Sequence, residues 1–126
     1  MNRAAAASCL PAVLLAVSLA LPARAEPWAC QMTVQCDGQD CFAIDDLYQI
    51  LPADHAGELF LSSPSGDRPA TRLSAPDALP AAYASAGIHA MGELMTITPD
   101  LLATVTFHRT DGPTRTTTFF GTCEAF

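Results

Sequence analysis

Lysine is absent from the whole 126-residue chain, and asparagine occurs only at position 2. Without lysine there can be no Schiff-base catalysis and no lysine-dependent phosphate loop. Without asparagine in the body of the chain there is no acceptor for N-glycosylation there. Alanine, proline and arginine are plentiful while residues with adenine-rich codons are scarce, which indicates a bacterial genome of high GC content.

Positive charge is also scarce, because six arginines stand against 13 acidic residues and the net charge is −7. An acidic chain is repelled by nucleic acid and by anionic lipid surfaces. We therefore expect no nucleic-acid partner. A basic protein or a small ligand is the expected partner, and we expect a monomer.

The N-terminal residues have the order of a secretory signal peptide. Arg3 supplies an early positive charge, residues 10–21 are apolar, and a small-x-small cleavage site ends at Ala25. The apolar stretch is too short to span a bilayer, and we expect no membrane span in the mature chain. We predict that residues 1–25 are cleaved and that 26–126 form a single periplasmic or secreted β domain. Cleavage removes two arginines and no acid, so the charge of the mature chain becomes −9.

Cleavage also makes the cysteine count even, because Cys9 leaves with the leader. Cys30, Cys36, Cys41 and Cys123 remain. Four cysteines in a short exported chain predict two disulfides, of which three connectivities are possible. We favour Cys30–Cys123, tying the first strand to the last, and Cys36–Cys41, fixing a local turn. The C-x5-C-x4-C spacing is not that of a zinc knuckle.

Alternating apolar residues and turn signals predict an all-β domain. The predicted strands are Trp28–Val34, Leu47–Leu51, Glu58–Ser62, Thr71–Ser74, Ile88–Thr98, Leu102–Arg109 and Thr114–Cys123. Ala75–Gly87 is rich in alanine and contains two prolines, so we expect one helical turn or irregular structure there. Six to seven short strands favour a small antiparallel meander that closes into a barrel or sandwich.

Two adjacent phenylalanines near the end of the chain allow a prediction about which side chains are buried. A strand points Phe119 and Phe120 to opposite faces of the sheet. One ring is therefore expected in the core. The other would be exposed unless a partner or the chain itself covers it, for example with the C-terminal tail, and we expect coverage by the chain itself.

Four aspartates close in sequence are the weak candidates for a metal site. Asp37, Asp40, Asp45 and Asp46 could converge on calcium. Their order lacks the D-x-D-x-D-G rhythm and the distal glutamate of a calcium loop. The simpler interpretation is a solvated acidic loop, and we expect neither a metal nor a cofactor.

The histidines give no indication of catalysis. His55, His89 and His108 lie on three different segments and share no ligand spacing. The chain also has no G-x-S-x-G nucleophile elbow. We expect a non-enzyme, and a hydrolase whose site is invisible in the sequence is kept as an alternative.

Two short segments support a resemblance. Trp28-Ala-Cys30 lies near the start of the mature chain and Gly121-Thr-Cys123 near its end. In having a cysteine near each end of a short exported β domain, the chain resembles the small periplasmic inhibitors of C-type lysozymes. The resemblance implies a β barrel that binds and inhibits a basic enzyme, which an acidic protein would suit.

The chain departs from that family at its inhibitory motif. The family has serine-glycine-x-x-tyrosine, whereas Ser65-Gly66 is followed here by Asp67-Arg68-Pro69. The hypothesis is therefore a non-catalytic binding or inhibitory module. A carrier that holds a small apolar ligand inside its barrel is a further alternative.

Overall fold

A computed structural model describes residues 26–53, 57–88, 91–109 and 116–126. They form one closed barrel of antiparallel strands, each paired with its neighbours in sequence and the first paired with the last. The eight strands are β1 (Trp28–Asp37), β2 (Asp40–Pro52), β3 (Leu59–Ser63), β4 (Gly66–Arg72), β5 (Ala81–Ser85), β6 (Glu93–Ile97), β7 (Leu102–His108) and β8 (Thr116–Ala125). The expected all-β meander is confirmed, and its closed form is a barrel.

The strand count is slightly higher than the six to seven expected, because part of Ala75–Gly87, where a helical turn or irregular structure was expected, forms a strand. β5 lies in this segment and pairs with β4 and β6. Alanine has a low preference for strands, but Ala81 and Tyr83 are buried on the inner face of β5. Their burial against the other strands outweighs the local preference.

Several predicted strand boundaries also change, and β4 covers Gly66–Arg72 where Thr71–Ser74 was expected. β2 begins at Asp40 rather than Leu47. β1 continues beyond its expected end to Asp37 and pairs with the first residues of β2. β6 begins only at Glu93. The predicted leader and the predicted turn at 110–113 lie outside the described residues.

The two disulfides support the barrel at its seam and at one hairpin. Cys30 is bonded to Cys123 across β1 and β8, and Cys36 is bonded to Cys41 across β1 and β2. This is the pairing that the sequence favoured. Disulfides persist in oxidising compartments, so they indicate a non-cytoplasmic environment. In the part of the chain that the structure describes, no helix is long and apolar enough to cross a membrane.

Side chains fill the inside of the barrel. Residues from most strands have no exposed surface, including Met32, Ile50, Leu61, Tyr83, Met95, Ile97 and Val105. An eight-stranded barrel is just wide enough for its own side chains to fill it. Phe119 is buried, as expected for one of the two adjacent phenylalanines. Phe120 is 43% exposed, so the expectation that the chain itself covers the second ring is wrong.

The barrel has two different ends. We call "mouth" the end that carries the β1–β2, β3–β4 and β5–β6 turns, and "base" the end that carries residues 26 and 126. At the base, the Glu26 carboxylate accepts hydrogen bonds from Arg72 Nε and Tyr83 Oη, each at 2.7 Å. The backbone N–H of Phe126 donates to Pro27 O at 3.2 Å.

Candidate functional site

A buried ion pair lies inside the mouth. Arg68 comes from β4 and Glu93 from β6, with β5 between them. Arg68 Nε donates to Glu93 Oε2 at 2.7 Å, and Arg68 Nη2 donates to Glu93 Oε1 at 2.5 Å. Their side chains are only 6% and 3% exposed. Either charge alone would be costly to bury, so each depends on the other.

Further hydrogen bonds hold the guanidinium of Arg68 to the β3–β4 turn. Its Nη1 donates to Ser63 Oγ at 2.7 Å and to Gly66 O at 2.8 Å. Four of the five N–H groups of the arginine therefore donate inside the barrel. The outer hydrogen on Nη2 meets no acceptor within the described ranges.

The carboxylate of Glu93 is tied to the β5–β6 connection. Ser85 Oγ donates to Glu93 Oε2 at 2.7 Å, and the backbone N–H of Gly87 donates to Ser85 Oγ at 2.9 Å. Gly87 has φ +69°, and a Cβ there would lie 2.3 Å from Met91 O. Only glycine allows the connection to fold this closely over the mouth.

Three aromatic rings form a wall beside the ion pair. Phe119 lies 5.4 Å from Tyr48 and 5.5 Å from Phe107, measured between ring centroids. The guanidinium of Arg68 lies 5.8 Å from the centroid of Tyr48, within the range of a cation–π contact. Burial, with a contribution from the negative charge of Glu93, raises the pKa of Tyr48 to about 12.

A cavity of about 140 Å³ opens between the ion pair and the β5–β6 connection. It is lined by Tyr48, Ser65, Arg68, Gly87, Ile88, Met91, Glu93 and Phe107. Tyr48, Ile88, Met91 and Phe107 present apolar surface, and the charges of Arg68 and Glu93 cancel. The cavity is therefore suited to an uncharged group rather than to an ion.

One contact at the mouth joins a hydroxyl group to a carboxylate. Ser85 is within hydrogen-bond reach of Glu93, which is the geometry of a nucleophile beside a base. However, both oxygens of Glu93 already accept from Arg68. Glu93 is therefore held by Arg68 and Ser85 together, and these contacts tie β4, β5 and β6 to one another at the mouth.

The four aspartates predicted as weak calcium ligands do not converge as a group. Asp45 accepts from Gln31 Nε2 at 2.7 Å, whereas Asp37 accepts from Thr117 Oγ1 at 2.9 Å. Asp46 follows Asp45 directly in β2 and so lies on the opposite face. Asp40 pairs with Asp37 across the hairpin turn. Within residues 26–53, 57–88, 91–109 and 116–126, no group of three or more acidic, histidine or cysteine side chains could hold a metal ion.

His108 does not line the mouth cavity, but it borders a separate hollow together with Ser85 and Glu93. His108 is exposed at the end of β7. His55 and His89 lie outside the described residues.

Sequence reasoning missed the ion pair and the aromatic wall, although one signal for Glu93 exists. Glu93 stands in phase with the buried residues Met95 and Ile97 of β6. A charged residue at a core position of a strand requires a buried partner. The sequence does not identify that partner, since Arg68 lies 25 residues away.

Comparison with known proteins adds no relative: no protein-family model matches the chain, and no similar curated protein or solved structure was found.

Proposed function

We propose that the protein is a non-catalytic binding module that binds its partner at the mouth of the barrel. The observation that carries this proposal is the cavity beside the neutralised Arg68–Glu93 pair. It has a rigid frame, because hydrogen bonds tie both charged groups to neighbouring turns. Ligand sites of this kind are concave, largely apolar and carry a few fixed polar groups.

The packed interior favours this site over a ligand enclosed in the barrel. Met32, Ile50, Leu61 and Met95 have no exposed surface and occupy the space that such a ligand would need. A carrier would have to rearrange several core side chains, which is costly in a close-packed interior.

We further propose that the chain is exported as a precursor, loses residues 1–25 and acts in the periplasm or outside the cell. The n-region, apolar stretch and cleavage site support this, and the disulfides require an oxidising environment. N-terminal sequencing of the exported protein is expected to begin at Glu26. A chain that keeps its first residues would contradict the processing step.

Methionine NMR tests the binding site directly. Beyond Met1 the chain has three methionines, of which Met32 and Met95 are completely buried and Met91 lines the cavity. With the methionine methyl groups labelled with ¹³C, uncharged apolar fragments are expected to shift the Met91 signal in a saturable way. Met32 and Met95 serve as internal controls. A fragment set that leaves Met91 unchanged would remove the proposal.

Inhibition of a basic lysozyme is the second candidate. The closed barrel with Cys30 bonded to Cys123 agrees with the shape that the resemblance implies, and Ser65-Gly66 lies at the mouth in the β3–β4 turn. The negative charge suits a basic enzyme. The test is a lysozyme lysis assay with the oxidised protein. No slowing at micromolar excess would discard this candidate while leaving the cavity proposal intact.

A further inference from the structure

The mouth cavity is large enough to hold a single six-membered ring. Its volume is about 140 Å³, and an apolar cavity of about 150 Å³ holds one benzene molecule. Phe107 lines the cavity, and its stack with Phe119, with the ring planes inclined by 29°, restricts its orientation. An aromatic guest can extend this stack, whereas a flexible chain would lose more conformational freedom on binding.

The guest must be uncharged. Arg68 and Glu93 form a forked pair with two contacts of 2.7 Å or less. A carboxylate guest would lie beside the negative charge of Glu93, and a cationic guest would meet the guanidinium in the same cavity wall. In both cases the ion loses its hydration without gaining a free counter-charge.

The guest can also satisfy a buried donor. Among the described residues the outer Nη2 hydrogen of Arg68 has no acceptor, and Arg68 lines the cavity. A buried N–H without a partner is unfavourable, and a hydrogen bond from a charged donor is stronger than a neutral one. An oxygen on the guest can take this hydrogen.

We propose that the mouth binds an uncharged phenol, with its ring against Phe107 and its hydroxyl oxygen accepting a hydrogen bond from Arg68. This inference rests on the proposed function as a binding module. A phenol can come from two sources, a free small molecule or the tyrosine side chain of a partner protein. Both present the same ring and the same acceptor.

The experiment compares p-cresol, toluene and benzoate, with the labelled Met91 methyl group as the probe. p-Cresol is expected to shift the Met91 signal with a dissociation constant at least about tenfold below that of toluene, because only p-cresol offers an acceptor to Arg68. Benzoate is expected to bind more weakly than p-cresol. Equal binding of toluene and p-cresol, or tighter binding of benzoate, would overturn the phenol inference while the binding site stands. No shift with any compound would overturn the proposed function as well.

A pair of variants locates the guest. Ile88→Trp fills the cavity and is expected to weaken p-cresol binding about tenfold or more. Leu94→Trp is the matched control, since Ile88 is 39% exposed and Leu94 is 43% exposed on the outer face of β6. Equal affinity in both variants would contradict the assignment. The ligand comparison on the wild-type protein decides the question if Ile88→Trp does not fold.

Two capped tripeptides distinguish the sources. Gly-Tyr-Gly is expected to bind at least about tenfold tighter than Gly-Phe-Gly by the same hydrogen-bond argument. If Gly-Tyr-Gly binds tighter than p-cresol, the phenol belongs to a partner's side chain. If p-cresol binds tighter, the guest is a free small phenol.

Discussion

Cys30 and Cys123 are joined by a disulfide and are also direct partners in the β1–β8 ladder, with their Cα atoms 4.0 Å apart. The bond therefore crosses the seam at which the last strand meets the first. Because the two cysteines are 93 residues apart, it restricts most of residues 26–126 in the unfolded chain. Cys36 and Cys41, 5 residues apart, restrict only a hairpin.

The two disulfides are predicted to stabilise the barrel unequally. On the chain-entropy model, Cys30–Cys123 contributes about 4 to 5 kcal/mol and Cys36–Cys41 about 2 kcal/mol. Urea unfolding of the Cys30→Ala/Cys123→Ala and Cys36→Ala/Cys41→Ala variants measures both contributions, and the double substitutions avoid a free thiol. Equal losses in the free energy of unfolding would show that strain or residual structure outweighs loop length.

The Arg68–Glu93 pair is predicted to be coupled strongly. Arg68→Met leaves the Glu93 carboxylate buried without its partner, which is expected to cost about 3 to 5 kcal/mol of stability. Arg68→Met combined with Glu93→Gln is expected to recover part of that loss, since no buried charge remains. A double-mutant cycle by chemical denaturation measures the coupling. Additive losses from the two single substitutions would contradict it.

The base supplies a control for the ion-pair prediction. Arg72 forms the second ion pair with Glu26, and its side chain is 26% exposed. Arg72→Met is expected to cost less than Arg68→Met, because water can still hydrate the remaining carboxylate in part.

Stability is predicted to fall in alkaline solution. Tyrosine ionises near pH 10 in an unfolded chain, whereas burial raises the pKa of Tyr48 to about 12 in the folded protein. Between these values the folded state keeps a proton that the unfolded state has lost, so the free energy of unfolding decreases as the pH rises. Below pH 10 the ionisation of Tyr48 does not lower the free energy of unfolding. Above pH 10 it lowers the free energy of unfolding by about 1.4 kcal/mol per pH unit.

Two measurements check the alkaline prediction. Tyr48 and Tyr83 are the only tyrosines, so tyrosinate absorbance reports them alone. Burial and the hydrogen bond to Glu26 also raise the pKa of Tyr83. We expect neither to ionise at pH 10 while the barrel is folded, and we expect Tyr48→Phe to flatten the pH dependence of urea unfolding. Ionisation of either residue near pH 10 in the folded protein would disprove the account.

Gly121 is predicted to be irreplaceable at the seam. A Cβ at this position would lie 2.0 Å from Gln31 O and 2.8 Å from Met32 Cα. These are backbone atoms of β1 that cannot rotate away, so Gly121→Ala is expected to cost at least about 3 kcal/mol. Gly92→Ala is the control, because nothing lies within 4 Å of its Cβ position. Similar melting temperatures for the two variants would contradict the crowding argument.

Local patterns were sufficient to predict part of this barrel. Alternation identified β7, and turn residues between apolar runs identified the hairpin of β3 and β4. The even cysteine count gave two disulfides. These features depend on residues close in sequence or on one count over the mature chain, so a single sequence carries them.

The mouth could not be predicted, because the closure of the barrel determines it. Arg68 reaches Glu93 only because β5 lies between their strands, and alanine-rich β5 was not expected to be a strand. Without β5 the sequence offers no reason to place β4 near β6. The aromatic wall likewise combines Tyr48 of β2 with Phe107 and Phe119 of β7 and β8.

The base determines how the protein can be attached to other molecules. Pro27 and Phe126 are hydrogen-bonded to each other at the end of the barrel opposite the cavity. A fluorescent label or surface tether fused after Phe126 would therefore lie at the base, on the side of the barrel opposite Arg68. Immobilised through that end, the protein would present its cavity to the solution, which is the orientation a biosensor needs.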